Sequence, residues 1–384
     1  MNSFLIFVVL LLVAVAFWQL TKIFDLSHAG GLKDDSEVAN DQDNNVNGYL
    51  MFGFLAFIYI FTIINIVLFG HFPLLSDSAS AHGVEVDRLM WISLILIFFV
   101  QTITQALLHY FAFKYRGKKG NVASYFADSN KLEAIWTIIP AVTLFVLILY
   151  GLYQWTEIMY IDENEDAIVV EVYAKQFGWE ARYAGEDNVL GKANVRYIEG
   201  INTLGVDAAD PNAQDDKPVS ELYLPKGKRI IFKFRSQDVL HSAYMPHFRA
   251  QMNCVPGMVT QFSFIPTMTT DEMRETKNMQ KKVERINKIR TENSKALVAK
   301  GEEALEPYTF DYLLLCNKIC GASHYNMQMK ITVVEEAAFK TWLKDKATFA
   351  EVMKPKEELK ETVEGEDSQK TASNDTLTIA QIKK

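Results

Sequence analysis

The segment Leu315-Cys316-Asn317-Lys318-Ile319-Cys320-Gly321-Ala322-Ser323-His324-Tyr325-Asn326-Met327 places two thiols, an imidazole and a thioether on one short stretch. Thiolate and thioether donors are soft and select copper among the common biological metals, whereas a thioether is a poor ligand for zinc. Two cysteines four apart on a tight loop can each bridge two metal ions, which leaves one terminal nitrogen needed on each ion. His324 supplies one. The other must come from elsewhere: His241, just past a strand-like run, is the natural candidate, and His247 is the competitor. A mononuclear blue-copper site needs one cysteine, so the second argues for a binuclear centre. Two further readings compete, a simple disulfide in an exported domain and a zinc site of two cysteines and two histidines. Met327 and the membrane anchor described next count against both.

Outward from this loop, residues 168–173, 229–234 and 261–265 alternate apolar and polar positions, with β-branched and aromatic residues broken by Gly, Pro and Asn. That pattern predicts an antiparallel β-sandwich or barrel. Residues 269–306 interrupt it with Glu, Lys, Arg, Asn and Met, the composition of one or two exposed helices. After about Ala350 the chain turns Lys/Glu-rich and then Ser/Thr-rich, and a disordered polar tail is expected over 350–384, in full from about Pro355. Only three cysteines occur, too few for a disulfide scaffold. Cys254 lies outside the pattern and is expected to be a small buried apolar residue.

Towards the N-terminus the apolar residues bunch into four runs, 4–20, 49–70, 89–113 and 135–153, each at or near the length of a membrane span. The first has no preceding Lys or Arg and no cleavage site, so a retained helix is preferred to a signal peptide. Lys114, Arg116, Lys118, Lys119 and Lys131 crowd the loop before the fourth run, which the positive-inside rule places in the cytoplasm. The fourth helix then delivers the β domain to the outer, periplasmic side of a bacterial plasma membrane, and parity favours four helices. Gln101, Gln105 and His109 share one helix face, read as hydrogen bonding to a neighbouring helix rather than as a cofactor site. The expected divisions are 1–48 (an extra helix and cytoplasmic loop), 49–88 (a second extra helix and outer loop), 89–156 (a transmembrane hairpin) and 157–349 (the β domain).

These residues together resemble subunit II of haem-copper cytochrome c oxidase, a family with a two-helix hairpin followed by a cupredoxin-like domain. The carriers are residues 131–140 (KLEAIWTIIP), 238–242 (DVLHS), 255–257 (VPG) and the loop from Cys316 to Met327. The fold implied is a membrane anchor of about four helices plus an all-β cupredoxin-like Greek-key sandwich. By this resemblance His241, Cys316, Cys320, His324 and Met327 look like ligands of two coppers, with the backbone carbonyl of Lys318 as a sixth. Glu133 looks like the family's carboxylate at the mouth of a proton path; the alternative is a capping box with Asn130. Phe177 occupies the position of the family's Trp that receives the electron, in a stretch that also holds Trp179; the alternative is ordinary strand core. The family's magnesium-binding Glu between the cysteines is Lys318 here, so magnesium is not expected. No Cys-x-x-Cys-His motif occurs, so no haem is expected on this chain.

The function implied is that of the respiratory subunit that takes electrons from a cytochrome c and passes them to haem in subunit I, where oxygen is reduced with proton translocation. Expected partners are subunit I and other oxidase subunits, the lipid bilayer, and a cytochrome donor tethered in a larger assembly. A net charge of −8 with no basic stripe argues against nucleic acid. Asp207, Asp210, Asp215, Asp216 and Glu221 form an acidic loop that either steers a basic cytochrome or is merely solvated. A copper carrier and a quinol-oxidase subunit are the competing functions; the full ligand set disfavours both.

Overall fold

The computed structural model describes residues 2–28, 41–70, 77–161 and 166–354. The described chain divides into two compact units, one formed by residues up to 73 and 90–144, the other by 74–89 and the chain from 145 onward.

The first unit is helical. It contains α1 (Asn2–His28), α2 (Asp41–Phe69), most of α3 (Ala81–Lys114) and the first half of α4 (Asn130–Met159). Among the described residues α2, α3 and α4 are long and apolar enough to cross a membrane, and α1 carries a shorter apolar stretch, Phe7–Thr21. The helices outrun the apolar runs that announce them. α2 starts eight residues ahead of Tyr49 because Asp41 and Asp43 sit in its first turn, where carboxylates complement the helix dipole. His109 is fully buried against α2, its Nδ1 2.8 Å from the Gln105 carbonyl and its ring 6.1 Å from that of Phe54. The ring packs on the neighbouring helix, but its hydrogen bond is to its own helix rather than the bond to a neighbouring helix expected from its spacing.

The second unit is a sandwich of two five-stranded sheets. The first has the order β3-β2-β1-β5-β8, with β1 at Ile168–Lys175, β2 at Gly178–Tyr183, β3 at Lys217–Val219, β5 at Ile230–Ser236 and β8 at Thr260–Phe264. The second has the order β4-β10-β9-β6-β7, with β4 at Leu222–Pro225, β6 at His241–Met245, β7 at Ala250–Cys254, β9 at Tyr312–Cys316 and β10 at Gln328–Val334. β1 runs parallel to β5 and β4 parallel to β10, so the chain crosses between sheets rather than meandering. Alternate residues of each strand meet between the sheets: Val170, Val172 and Ala174 from β1, Phe232 and Phe234 from β5, Tyr312 and Leu314 from β9, with Phe248 and Phe264 stacked 4.8 Å apart.

The outer face of the first sheet is buried too. Glu171 and Arg182, which alternation assigns to solvent, are 4 % and 1 % exposed because residues 184–216 fold over them. Glu171 holds both Arg182 and Arg235, and Arg182 also pairs with Asp216 and donates to the Gly191 carbonyl. Arg235 donates to the Leu204 carbonyl. Each buried charge is therefore matched, the condition under which such a network is tolerated. The acidic loop is thus not a loose solvated fringe: Asp216 sits inside, Asp215 accepts from the Glu186 and Asp187 amides, and Asp210 caps the turn at Asn212.

Between β8 and β9 the chain forms α5 (Thr270–Glu275) and α6 (Lys277–Val298). After β10 come α7 (Glu336–Lys344) and α8 (Phe349–Met353). The polar tail expected from 350 begins later than that, since α8 is closed by a Thr348–Glu351 capping box and Phe349 is buried beside Tyr173. The expectation for 355–384 lies outside the described residues. Residues 79–87, the entry to α3 and its first turns, are built into this same unit. Ala79 and Ser80 are fully buried, the Ser80 hydroxyl donates to the Phe248 carbonyl, and Asp87 makes a two-pronged pair with Arg249.

Candidate metal centre

The metal loop follows β9 directly. Antiparallel pairing of β9 with β6 sets Ala243 opposite Cys316, and the Asn317 amide donates to the Ser242 carbonyl, which brings His241 at the head of β6 beside the loop. His241 Nδ1 lies 3.8 Å from Cys316 Sγ; Cys316 and Cys320 Sγ are 3.9 Å apart. His324 Nδ1 is 3.6 Å and Met327 Sδ 3.8 Å from Cys320 Sγ, and the Lys318 carbonyl oxygen is 3.2 Å from Cys316 Sγ. The six expected donors are thus brought together around the sulfur pair. His241 is the imidazole that β6 brings beside the sulfurs. The competitor His247 packs elsewhere, edge-on to Phe310 and Tyr312 at ring distances of 4.9 and 5.6 Å.

This donor set fits a pair of soft cations. A disulfide needs sulfurs at about 2.05 Å, so 3.9 Å leaves two free thiols. Metal–sulfur bonds of about 2.3 Å mean that Cys316 and Cys320, with their sulfurs 3.9 Å apart, could both hold the same group. Burial, and then the neighbouring Cys316, push the Cys320 thiol up to about 11, so positive charge beside it is what would bring that sulfur to the thiolate form. Cys254, fully buried opposite His241 on β7, is pushed up to about 12 by burial and stays outside the group.

Two residues missed by the sequence reading organise this site. His241 Nε2 is 2.8 Å from Asp238 Oδ1, so Nε2 carries the proton and Nδ1 turns its lone pair to the sulfurs. Asp238 in turn accepts from the Gln176 amide at 2.7 Å, and the Gln176 side chain donates to the Cys320 carbonyl. Burial pushes the Asp238 carboxyl up, but the hydrogen bonds from His241, Gln176 and Val239 outweigh it and hold it below the usual range. A readable signal existed for Asp238, a carboxylate three residues before a candidate ligand. None existed for Gln176, which lies 144 positions away from Cys320.

Trp179 is 7 % exposed, with its ring 6.2 Å from that of His241 and Nε1 directed at the Met327 carbonyl at 3.5 Å. Phe177 is 39 % exposed and lies over Gly321, where a Cβ would stand 2.7 Å from the phenyl ring. Lys318 and the neighbouring Ile319 and Tyr325 face solvent. Glu133 belongs to the helical unit, exposed in the first turn of α4, and the residue capping that turn is Ser129, whose hydroxyl accepts from the Leu132 amide at 3.4 Å. The alternative capping box with Asn130 is therefore not the arrangement found.

Comparison with known proteins agrees with this architecture. The family described as "Cytochrome C oxidase subunit II, transmembrane domain" matches residues 65–153. An alternative cytochrome c oxidase subunit 2 of Bradyrhizobium diazoefficiens is 32% identical over 254 residues, 66% of this chain and 76% of the relative. A cytochrome c oxidase subunit 2 of Alkalihalophilus pseudofirmus is 23% identical over 278 residues, 70% of this chain and 60% of the relative. Among solved structures, the periplasmic domain of subunit II of a cytochrome oxidase from Bradyrhizobium japonicum matches 46% of this chain and 91% of its own, at 20% identity and a TM-score of 0.26. With a relative of that similarity covered over three quarters of its length, the chain belongs to the cytochrome c oxidase subunit 2 family.

Proposed function

We propose that this subunit is the electron acceptor of its oxidase: His241, Cys316, the Lys318 carbonyl, Cys320, His324 and Met327 hold two coppers that take electrons from a cytochrome c and pass them to haem in subunit I, where oxygen is reduced. The observation that carries this reading is the ring of donors around a sulfur pair 3.9 Å apart. Two coppers held by these residues would supply one-electron transfer with the charge change spread over both ions, so little rearrangement would be needed on each step. The chain's own residues supply the rest. Asp238 fixes the ring of His241, Trp179 and Met327 close the inner side against water, and Gln176 ties the Phe177 strand to the loop. Phe177, Ile319 and Tyr325 leave an apolar surface around the loop on which a donor can seat, with Phe177 as the residue nearest the electron's route.

The cationic loop between α3 and α4, of the kind that stays on the cytoplasmic face, supports a β unit on the periplasmic side of a bacterial plasma membrane. Lys318 carries no oxygen donor in its side chain, which supports a site without magnesium. Metal analysis and EPR of the purified full-length chain test the proposal. Two coppers per chain and a multi-line mixed-valence signal are expected, and Met327→Leu should shift the reduction potential with both coppers retained. One copper per chain, or zinc after growth with ample copper, overturns it.

A further inference from the structure

Away from the metal centre, the lysines on the outer face of α6 have no role in the fold just described. Its 22 residues hold seven basic and two acidic side chains, in a chain whose net charge is −8. One face of the helix is docked: Met279 is buried, Asn287 exchanges hydrogen bonds with the Tyr308 backbone at 2.7 and 3.1 Å, and Arg290 donates to the Glu306 carbonyl at 2.7 Å. On the opposite face, at 3.6 residues per turn, Lys277, Lys281, Lys288 and Lys295 fall on one stripe. All four are exposed, and none is in an ion pair among the described residues. Glu284 and Glu292 edge the stripe without neutralising it. Like charges one turn apart destabilise an isolated helix, so a row of unpaired lysines serves something other than the fold.

The placement of α6 identifies what covers that row. α3 begins, and β1 starts after α4, at the end of the sandwich away from the metal loop, and α5 and the first turn of α6 lie at that end as well. Asn278 donates to Asp77, four residues ahead of α3, at 2.8 Å, and the Thr267 amide donates to the Ala79 carbonyl at 2.8 Å. The basic helix therefore grows from the part of the unit where the chain passes to and from its membrane spans. Exposed Ile289 and Val298 flank the lysines, the mixture of cationic and apolar side chains that suits a bilayer surface rather than an acidic protein.

We propose that α6 is a lipid-facing helix whose lysine stripe seats on the anionic phospholipid headgroups of the leaflet nearest the β unit. Hydrogen exchange of the intact oxidase in three surroundings tests it: nanodiscs of phosphatidylcholine, nanodiscs with added phosphatidylglycerol, and detergent stripped of lipid. Amides of 277–298 should exchange about tenfold more slowly in the anionic discs. Added salt, or the combined exposed substitutions Lys277→Gln, Lys281→Gln, Lys288→Gln and Lys295→Gln, should abolish the difference while leaving exchange of the β strands unchanged. Equal exchange in both kinds of disc overturns the proposal. So does protection that persists in lipid-free detergent, which would assign the stripe to an acidic protein partner.

Discussion

At the level of single residues, the metal ligands are set by their supports. Asp238 places a carboxylate on the far nitrogen of His241, which favours the more positive, oxidised state of whatever the ligand holds. Asp238→Asn keeps a hydrogen-bond acceptor of the same shape but removes the charge. The reduction potential should rise by some tens of millivolts, on a scale of about 59 mV per decade for a one-electron couple, with copper still bound; an electrochemical titration reads this directly. Glu133 stands apart from that machinery, and its proposed role is proton delivery into subunit I. Glu133→Gln should lower oxygen turnover of the assembled oxidase severalfold without loss of copper, and unchanged turnover would remove the proton role. The grouping of His241 with the two cysteines was legible in the sequence because a soft-donor loop has few other readings. Asp238 left a signal that went unused, a carboxylate three residues before His241, whereas Gln176 left none, because a hydrogen bond between distant loops leaves no spacing to read.

Among the elements, the turn after β6 offers a titration. His247 is packed between rings, and burial first, then Lys282 and Arg249, hold its pKa down at about 4. The unfolded chain binds that proton near pH 6.5. Between those values the unfolded state carries more protons than the native one, so stability is complete above about 6.5 and falls as the pH drops towards 4, by at most about 3 kcal/mol. Thermal unfolding of the purified chain across that range should show the slope, and His247→Phe should flatten it. Strand positions such as 229–234 and 261–265 were readable from alternation because they line the space between the sheets. The outer face of β1 and β2 was not, since the same alternation assigns Glu171 and Arg182 to water, and only the long-range return of residues 184–216 buries them. Helix ends were misjudged for a related reason. Hydropathy marks the part of a helix that sits in lipid, whereas hydrogen bonding carries α2 and α3 past it.

For the whole molecule, we infer that the cytochrome donor is held in a larger assembly rather than captured from solution. Four of the five acidic residues that would attract a free basic cytochrome are built into this fold, Asp207, Asp210 and Asp215 as turn caps and Asp216 in a buried ion pair with Arg182. A tethered donor needs no long-range field. Electron transfer within the intact assembly should therefore change little as salt is raised. Fast oxidation of a small, free, basic cytochrome c that falls steeply with added salt would restore ordinary docking. Residues 79–87 also order the unit in time. Ser80 leaves the ribosome 168 residues before Phe248, and Asp87 leaves it 162 residues before Arg249. Both must wait until the chain that completes their bonds has been made. The cysteines of the metal loop emerge later still, so the β unit can gather its first strands around residues 79–87 before the sulfur pair is present.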